Sequence, residues 1–265
     1  MKKNKIAAVV VTYNRKELLC KCIEKLLDQS YKNFDILIID NHSTDGTKEE
    51  ISSYINEGVI NYHDTGSNLG GAGGFNYGIR LAAEEGYSFV WVMDDDSMPK
   101  SEALAQFIEA GRSLNGRFGF LSSRVLWTDG NPCKMNVQRR TLTKNLLEFE
   151  NDIEPVVIAS FVSMFIPVKI VKKLGLPIKE FFIWTDDWEF SRRISRKYPC
   201  YAIRSSVVIH ETVENTGADI SRSPVEKLDR FAFAYRNEVY LYKREGIKGI
   251  IHILLRTPLH LFRVL

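Results

Sequence analysis

Unbroken apolar runs alternate along the first hundred residues with stretches whose apolar positions recur every three to four residues. Ile6–Val11 is a short run of the kind that is buried on both faces of a sheet, and the polar Thr12-Tyr13-Asn14-Arg15 follows it. Between Lys16 and Gln29 the apolar residues Leu18, Leu19, Cys22, Ile23, Leu26 and Leu27 keep helical spacing, which predicts an amphipathic helix. The alternation continues with a predicted strand at Phe34–Ile39, a helix at Thr47–Tyr54, a short strand at Val59–His63, a helix at Asn76–Glu85 and a strand at Tyr87–Met93. Strands alternating with helices predict βαβ units and a mostly parallel sheet, an α/β fold. Further on, Ser101 offers an N-cap for a helix over Glu102–Ala110 with Gly111 as its stop. Phe118–Leu126, Ile158–Pro167 and Tyr201–His210 are predicted strands, and a basic helix carries Arg192, Arg193 and Arg196. The polar stretch from Lys134 to Asn151 has no period and is expected to form an active-site flap.

Candidate chemistry sits where these runs end. The strand Tyr87–Met93 closes on Asp94-Asp95-Asp96, and three adjacent carboxylates repel one another unless they are solvated or bridged by a cation. In isolation a solvated acidic turn accounts for them. At the C-terminal end of a buried parallel strand, oxygen ligands also suit Mg²⁺ or Mn²⁺ bridging to a substrate phosphate. Asn68-Leu69-Gly70-Gly71-Ala72-Gly73-Gly74-Phe75 places four glycines within five positions ahead of a predicted helix. Such a loop can hold phosphate on free N–H groups or be a flexible turn. It matches neither the P-loop nor the dinucleotide fingerprint. A second acidic stretch, Trp184-Thr185-Asp186-Asp187-Trp188-Glu189, opens the basic helix, where carboxylates also favour the helix dipole. His210 ends a late strand, a place for a metal ligand or a structural histidine.

Composition narrows the setting. The chain has 265 residues, 45% hydrophobic and 26% charged, which fits an ordinary globular protein of one large or two small domains. Its net charge of +3 is uneven: from Phe190 onward there are 14 Lys/Arg against 7 Asp/Glu, and before it 22 against 26. No basic run alternates with aromatics, so nucleic acid is not an expected partner. Cys20, Cys22, Cys133 and Cys200 form no zinc pattern and are expected to be free thiols of a reducing cytoplasm. The apolar run after the basic Met1–Lys5 is too short for a signal-peptide core.

Four landmarks follow one another: Val10-Val11-Thr12-Tyr13-Asn14-Arg15, Ile39-Asp40-Asn41-His42-Ser43-Thr44-Asp45-Gly46, Asp94-Asp95-Asp96 and Thr185-Asp186-Asp187-Trp188-Glu189. In these residues and their order, from Ile6 to about Tyr242, the chain resembles family 2 glycosyltransferases of the GT-A fold. The resemblance implies two nucleotide-binding loops, a D-x-D metal motif and an acidic catalytic segment. Within the family, the glycine stretch, the full triplet and Trp184 are most like galactofuranosyltransferases. Arg236-Asn237 is shared with related rhamnosyltransferases, which leaves a dTDP-rhamnose donor as the alternative to UDP-galactofuranose. A first loop rich in glycine and Arg/Lys, normal for a nucleotidyltransferase, is missing, and a non-catalytic sugar-nucleotide-binding subunit remains a further alternative.

Residue by residue, the resemblance assigns Thr12, Tyr13, Asn14, Arg15, Asp40, Asn68, Gly70, Gly71, Asp94, Asp95 and Trp184 to the nucleotide-sugar donor. Asp94 and Asp96, joined by His210, would hold Mn²⁺ or Mg²⁺. Asp187 is the expected base for the acceptor hydroxyl, with Asp186 or Glu189 orienting the acceptor, a glycan or lipid-linked saccharide. Inversion at the anomeric carbon with release of UDP is the implied outcome. Trp188 has two uses, stacking on a sugar or packing in the core. The catalytic domain is expected to span residues 1–242. Residues 243–265, apolar but interrupted by Lys248, Arg256, Pro258 and Arg263, are expected to form a basic amphipathic segment. That segment would dock on the protein itself or lie on an anionic membrane at the inner face of the cell.

Overall fold

Four parallel strands form one half of the sheet in the computed structural model, which describes residues 5–217, 219–225 and 228–264. β1 (Ile6–Thr12) lies between β2 (Phe34–Asp40) and β4 (Phe89–Asp94), with β3 (Ile60–Asp64) outside β2. The crossovers are α1 (Lys16–Leu27), the short α2 (Thr47–Glu50) and α3 (Ser52–Asn56), and α4 (Gly70–Glu84). Every residue of β1 is buried. Its alternate residues enter opposite cores, Ala7, Val9 and Val11 under α4, and Ile6, Ala8 and Val10 with the apolar face of α1. The register sets Thr12 beside Asp40 and Val11 beside Asp94. The polar residues that close these strands therefore leave the sheet at one edge, the carboxyl edge where open α/β sheets take ligands.

The other half is mixed. β8 (Met164–Pro167) runs antiparallel to both β4 and β6 (Leu121–Leu126), and β9 (Tyr201–His210) runs parallel to β6. β5 (Ser97–Pro99) and β7 (Ile153–Pro155) add antiparallel to β9. Three residues past the end of β4, Ser97 pairs with His210. The reversal between β4 and β5 thus carries Asp95 and Asp96 on a tight turn and draws the end of β9 against it. Remaining helices are α5 (Ala103–Ser113), α6 (Val168–Leu174), α7 (Asp186–Ser195), α8 (Asp229–Lys243) and α9 (Ile247–Val264).

Several expected boundaries move, each for a local reason. The helix expected at Thr47–Tyr54 is broken at Ile51 into α2 and α3. Gly111 does not stop α5; it stays helical, with the Phe118 ring near its α-carbon. Of Ile158–Pro167, only Met164–Pro167 is a strand. The glycine stretch is no loop, because α4 begins at Gly70 rather than Asn76. A Cβ on Gly74 would stand 2.5 Å from Val11 Cγ1, and one on Gly78 2.4 Å from Val9 Cγ1, so α4 can lie directly on β1. Residues 134–151 are irregular but tied down: the Arg139 N–H donates to the Ile158 carbonyl, the Arg139 carbonyl accepts from the Val157 N–H, and buried Gln138 donates to the Ser123 carbonyl. That stretch is a packed wall of the site rather than a detached flap.

Helix α9 turns its polar side inward. His252, Arg256 and His260 approach the Glu238 carboxylate of α8 at 3.6, 3.6 and 3.3 Å. Ile250, Ile251, Leu254, Leu255, Leu259, Leu261 and Phe262 are exposed. Among the described residues no helix is long and apolar enough to cross a membrane.

Candidate active site

The turn after β4 gathers its carboxylates against cations. Asp95 and Asp96 are buried. Asp95 accepts from Thr12 Oγ1 at 2.8 Å and from Arg15 Nη1 at 3.2 Å, and the same Arg15 nitrogen lies 2.7 Å from Asp96 Oδ2. His210 Nε2 is 2.9 Å from Asp96 Oδ1, while Nδ1 is 2.8 Å from Asn136 Oδ1. Asp94, Asp96 and His210 each offer a ligand atom within 4.8 Å of the other two. Burial and then the Asp96 charge raise Asp94 to about 7, and burial raises Asp95 to about 6. Asp96 goes the other way: burial opposes it, but the hydrogen bond and charge of His210 hold it below the usual carboxylate range. The same bond lifts His210 to about 10 against the effect of burial.

Two carboxylates and an imidazole form a donor set that suits Mn²⁺. The fit extends to the surroundings. An amide oxygen only accepts, so Asn136 Oδ1 fixes the proton on Nδ1 of His210 and leaves Nε2 as the atom aimed at the cluster. In the ligand-free protein a proton on Nε2 and the Arg15 guanidinium supply the positive charge that the triplet needs. The resemblance assigns both Arg15 and Asp95 to the donor; here the two are bonded to each other. The Arg15 side chain nevertheless remains 48% exposed, so part of the guanidinium still faces outward.

The two loops at the ends of β1 and β2 brace one another. Asn14 adopts φ +53°, its N–H donates to Ser43 Oγ at 2.9 Å, and its Oδ1 accepts from the Thr44 N–H at 2.7 Å. Asp40 is another residue that the resemblance assigns to the donor. Its Oδ1 accepts from Ser43 N and Oγ at 2.8 and 2.6 Å, and its Oδ2 from Tyr62 Oη at 2.8 Å, so both oxygens already shape the loop. Tyr13 stands 42% exposed beside it. Asn68 Oδ1 accepts from the Gly70 N–H at 2.9 Å, and Asn41 Nδ2 donates to the Gly70 carbonyl at 3.0 Å. Gly70 itself has φ +70°, and a Cβ there would fall 2.2 Å from the Phe182 carbonyl oxygen. At Gly71 an added Cβ would meet nothing within 4 Å.

Asp186 and Asp187 open α7. Asp186 is buried, and burial raises it to about 6, while the backbone N–H groups of the helix start pull it down. Asp187 accepts from the Trp188 N–H at 2.7 Å. It is raised well above the ordinary range by burial, then by the Asp186 charge, with Asp94 contributing further. The charge of the Asp94 cluster thus reaches the start of α7. Glu189 differs. Arg193 Nε and Nη2 take its two oxygens at 3.1 and 2.8 Å, and the same guanidinium caps the Leu174 and Leu176 carbonyls at 2.7 and 3.0 Å. It anchors α7 to the end of α6, with both of its oxygens engaged by Arg193. Trp184 meets Phe231 edge-on at 5.0 Å, and Trp188 lies under the Arg139 guanidinium at 3.8 Å. Asn136, Tyr62 and Arg139 were not anticipated; none carries a sequence signal beyond its polarity.

A parallel half-sheet with two braced loops at its carboxyl edge, an Asp-Asp-His cluster and an acidic helix start define a glycosyltransferase of the GT-A fold. Residues 7–120, somewhat less than half of the chain, match the family model Glycosyl transferase family 2. Galactofuranosyltransferase GlfT1 of Mycolicibacterium smegmatis is 24% identical over 262 residues, 93% of this chain and 85% of the relative. Among solved structures, S. aureus TarS superposes with TM-score 0.63 at 16% identity over 90% of this chain. GalNAc-T7 with UDP, GalNAc and Mn²⁺ does so with TM-score 0.67 at 14% identity, also over 90%. The chain spans only 39% of that TarS chain and 47% of the GalNAc-T7 chain.

Proposed function

We propose that the chain transfers galactofuranose from UDP-galactofuranose, with inversion, to a hydroxyl of a cell-surface glycan or lipid-linked saccharide. The observation that carries this is the placement of Asp187 within electrostatic reach of Asp94, at the edge where Asp94, Asp96 and His210 converge. A sugar hydroxyl is a poor nucleophile, and a carboxylate whose pKa is raised by burial and a neighbouring charge is a stronger base to take its proton during attack. Asp187 fills that role, with Asp186 tuning its basicity and Glu189 fixing the helix that presents it. Asp94, Asp96 and His210 would hold Mn²⁺ or Mg²⁺, which supplies Lewis-acid neutralisation of the departing diphosphate. Arg15 would release part of its hold on the triplet to face that diphosphate. Tyr13, Asn14, Asn68, Gly70 and Gly71 line the nucleotide end, and Trp184 the sugar.

Donor hydrolysis measured across UDP-galactofuranose, dTDP-rhamnose, UDP-glucose and UDP-galactose tests the reading. UDP-galactofuranose is expected to be consumed fastest, and EDTA to stop the reaction. A preference for dTDP-rhamnose, or full activity in EDTA, overturns the donor or the metal assignment respectively.

The outward apolar face of α9 suits the surface of an anionic membrane, where a lipid-linked acceptor resides. Exposed Lys243, Arg244 and Lys248 flank it. About 1 kcal/mol per basic residue near an anionic surface adds to the apolar burial. The protein is expected to float with vesicles containing anionic lipid, and a chain ending at Gly246 to stay at the bottom of the gradient. Equal flotation of the two sinks this assignment.

A further inference from the structure

The backbone that enters α7 is held in a conformation that residues with side chains rarely adopt. Phe182, Trp184 and Thr185 have φ of 62°, 63° and 68°. Such residues persist only where the surroundings over-determine them. Here the surroundings are identifiable. Asn237 of α8 is fully buried. Its Nδ2 lies 3.0 Å from the Phe181 carbonyl oxygen, 3.2 Å from that of Ile183 and 2.9 Å from that of Trp184. The Phe182 carbonyl points the other way and accepts from the Ala72 N–H of α4 at 3.1 Å. Arg236 donates through Nε and Nη2 to Asn237 Oδ1 at 3.0 and 2.9 Å, and Nη2 also reaches the Glu180 carbonyl. A guanidinium only donates, so the amide is oriented with its oxygen toward Arg236 and its hydrogens toward the strained segment. Each carbonyl from Glu180 to Trp184 thus accepts from α8 or α4.

We infer that Asn237 is a positioning residue for the acidic pair: it clamps residues 181–184 in their left-handed path and so aims Asp186 and Asp187 at the metal cluster. The inference rests on the reading of Asp187 as the base for the acceptor hydroxyl. Released from the clamp, the segment relaxes toward negative φ, and a change at Thr185 redirects the first turn of α7. Asn237 does not belong to the nucleotide loops, so UDP binding is not expected to follow, whereas the donor sugar, which Trp184 lines, is expected to be held less firmly.

Three measurements decide it. In Asn237→Ala, kcat is expected to fall about 100-fold, the scale of an ångström misplacement, with UDP Kd within about threefold of wild type. Glycine accepts φ near +68° without steric cost, so Thr185→Gly added to Asn237→Ala is expected to return about tenfold of the lost kcat. Backbone amide exchange over residues 183–187 is expected to speed up in Asn237→Ala whatever the activity. Should Asn237→Ala fail to fold, Asn237→Asp keeps the Arg236 pairing and removes the donors, and its kcat is expected to fall as far. A wild-type kcat in either variant, unchanged exchange, or a loss that Thr185→Gly leaves untouched overturns the clamp. A wild-type protein that turns over no sugar nucleotide, with exchange accelerated as expected, fails the functional reading and leaves the clamp standing.

Discussion

Asp187→Asn is expected to lower kcat by 10²–10⁴-fold, the usual contribution of a positioned general base, and to leave UDP affinity within about threefold. Asparagine keeps the volume and, through its amide oxygen, the bond from the Trp188 N–H at 2.7 Å. What it loses is the ability to take a proton. Stability should move in the opposite direction. Asp187 is raised above its unfolded value by burial and by Asp186, so the folded protein favours the neutral carboxyl. A carboxylate with a raised folded pKa loses stability as pH rises from its unfolded value through the folded one. At pH 7 the wild type carries that penalty, and Asn removes it. Thermal unfolding of Asp187→Asn is therefore expected at a temperature equal to or above that of wild type, the trade of stability for activity common at strained sites. Asp186→Asn is expected to be milder, because it removes the neighbouring charge that raises Asp187 and so shifts the acid limb of the kcat profile to lower pH. Turnover near wild type in Asp187→Asn removes it from the role of base.

The contrast between Asp187 and Glu189 marks where the sequence stops being informative. Both stand in one acidic motif, but only the fold reveals that Glu189 is engaged by Arg193, one helical turn on. An i,i+4 pair is visible in sequence; its burial against the Leu174 and Leu176 carbonyls is not. The parallel half of the sheet was legible because β1, β2 and β4 are buried on both faces and leave unbroken apolar runs. β5 and β7, each three residues long, carry no period to detect. The glycine stretch misled because both readings made it a loop. Glycine is a poor helix former, and only contact with β1 shows why Gly74 and Gly78 are tolerated in α4. Asp40 and Arg15 were placed at the right edge of the sheet, but their distant partners were not visible: Tyr62 of β3 lies 22 residues from Asp40, and Asp96 lies 81 from Arg15. His210 and Asp96, separated by 114 positions, meet because β5 pairs with β9.

Mn²⁺ binding by the ligand-free protein is expected to strengthen steeply with pH. Nε2 of His210 and the Asp94 carboxylate must both be proton-free to ligate, and they sit at about 10 and about 7. Below pH 7 the ion displaces two protons, and between 7 and 10 it displaces one. From pH 7.5 to 8.5 the apparent Kd should therefore fall about tenfold, since metal binding releases the ligand protons. Titration calorimetry in two buffers of different ionisation enthalpy counts those protons directly. Stability without metal runs against this. His210 is raised above its unfolded value, so its pairing with Asp96 stabilises fully below the unfolded pKa and is lost as pH rises toward 10. The metal-free protein should unfold at a lower temperature at pH 9 than at pH 7, and Mn²⁺ should reverse that order. His210→Ala is expected to remove the pH dependence above 7 along with a ligand. Asn136→Ala, which frees Nδ1 and lets the ring turn, is expected to weaken Mn²⁺ by 10–100-fold, the effect of losing an outer-shell partner. A Kd that does not change from pH 7.5 to 8.5 would show that His210 lies outside the metal site and serves only to pair with Asp96.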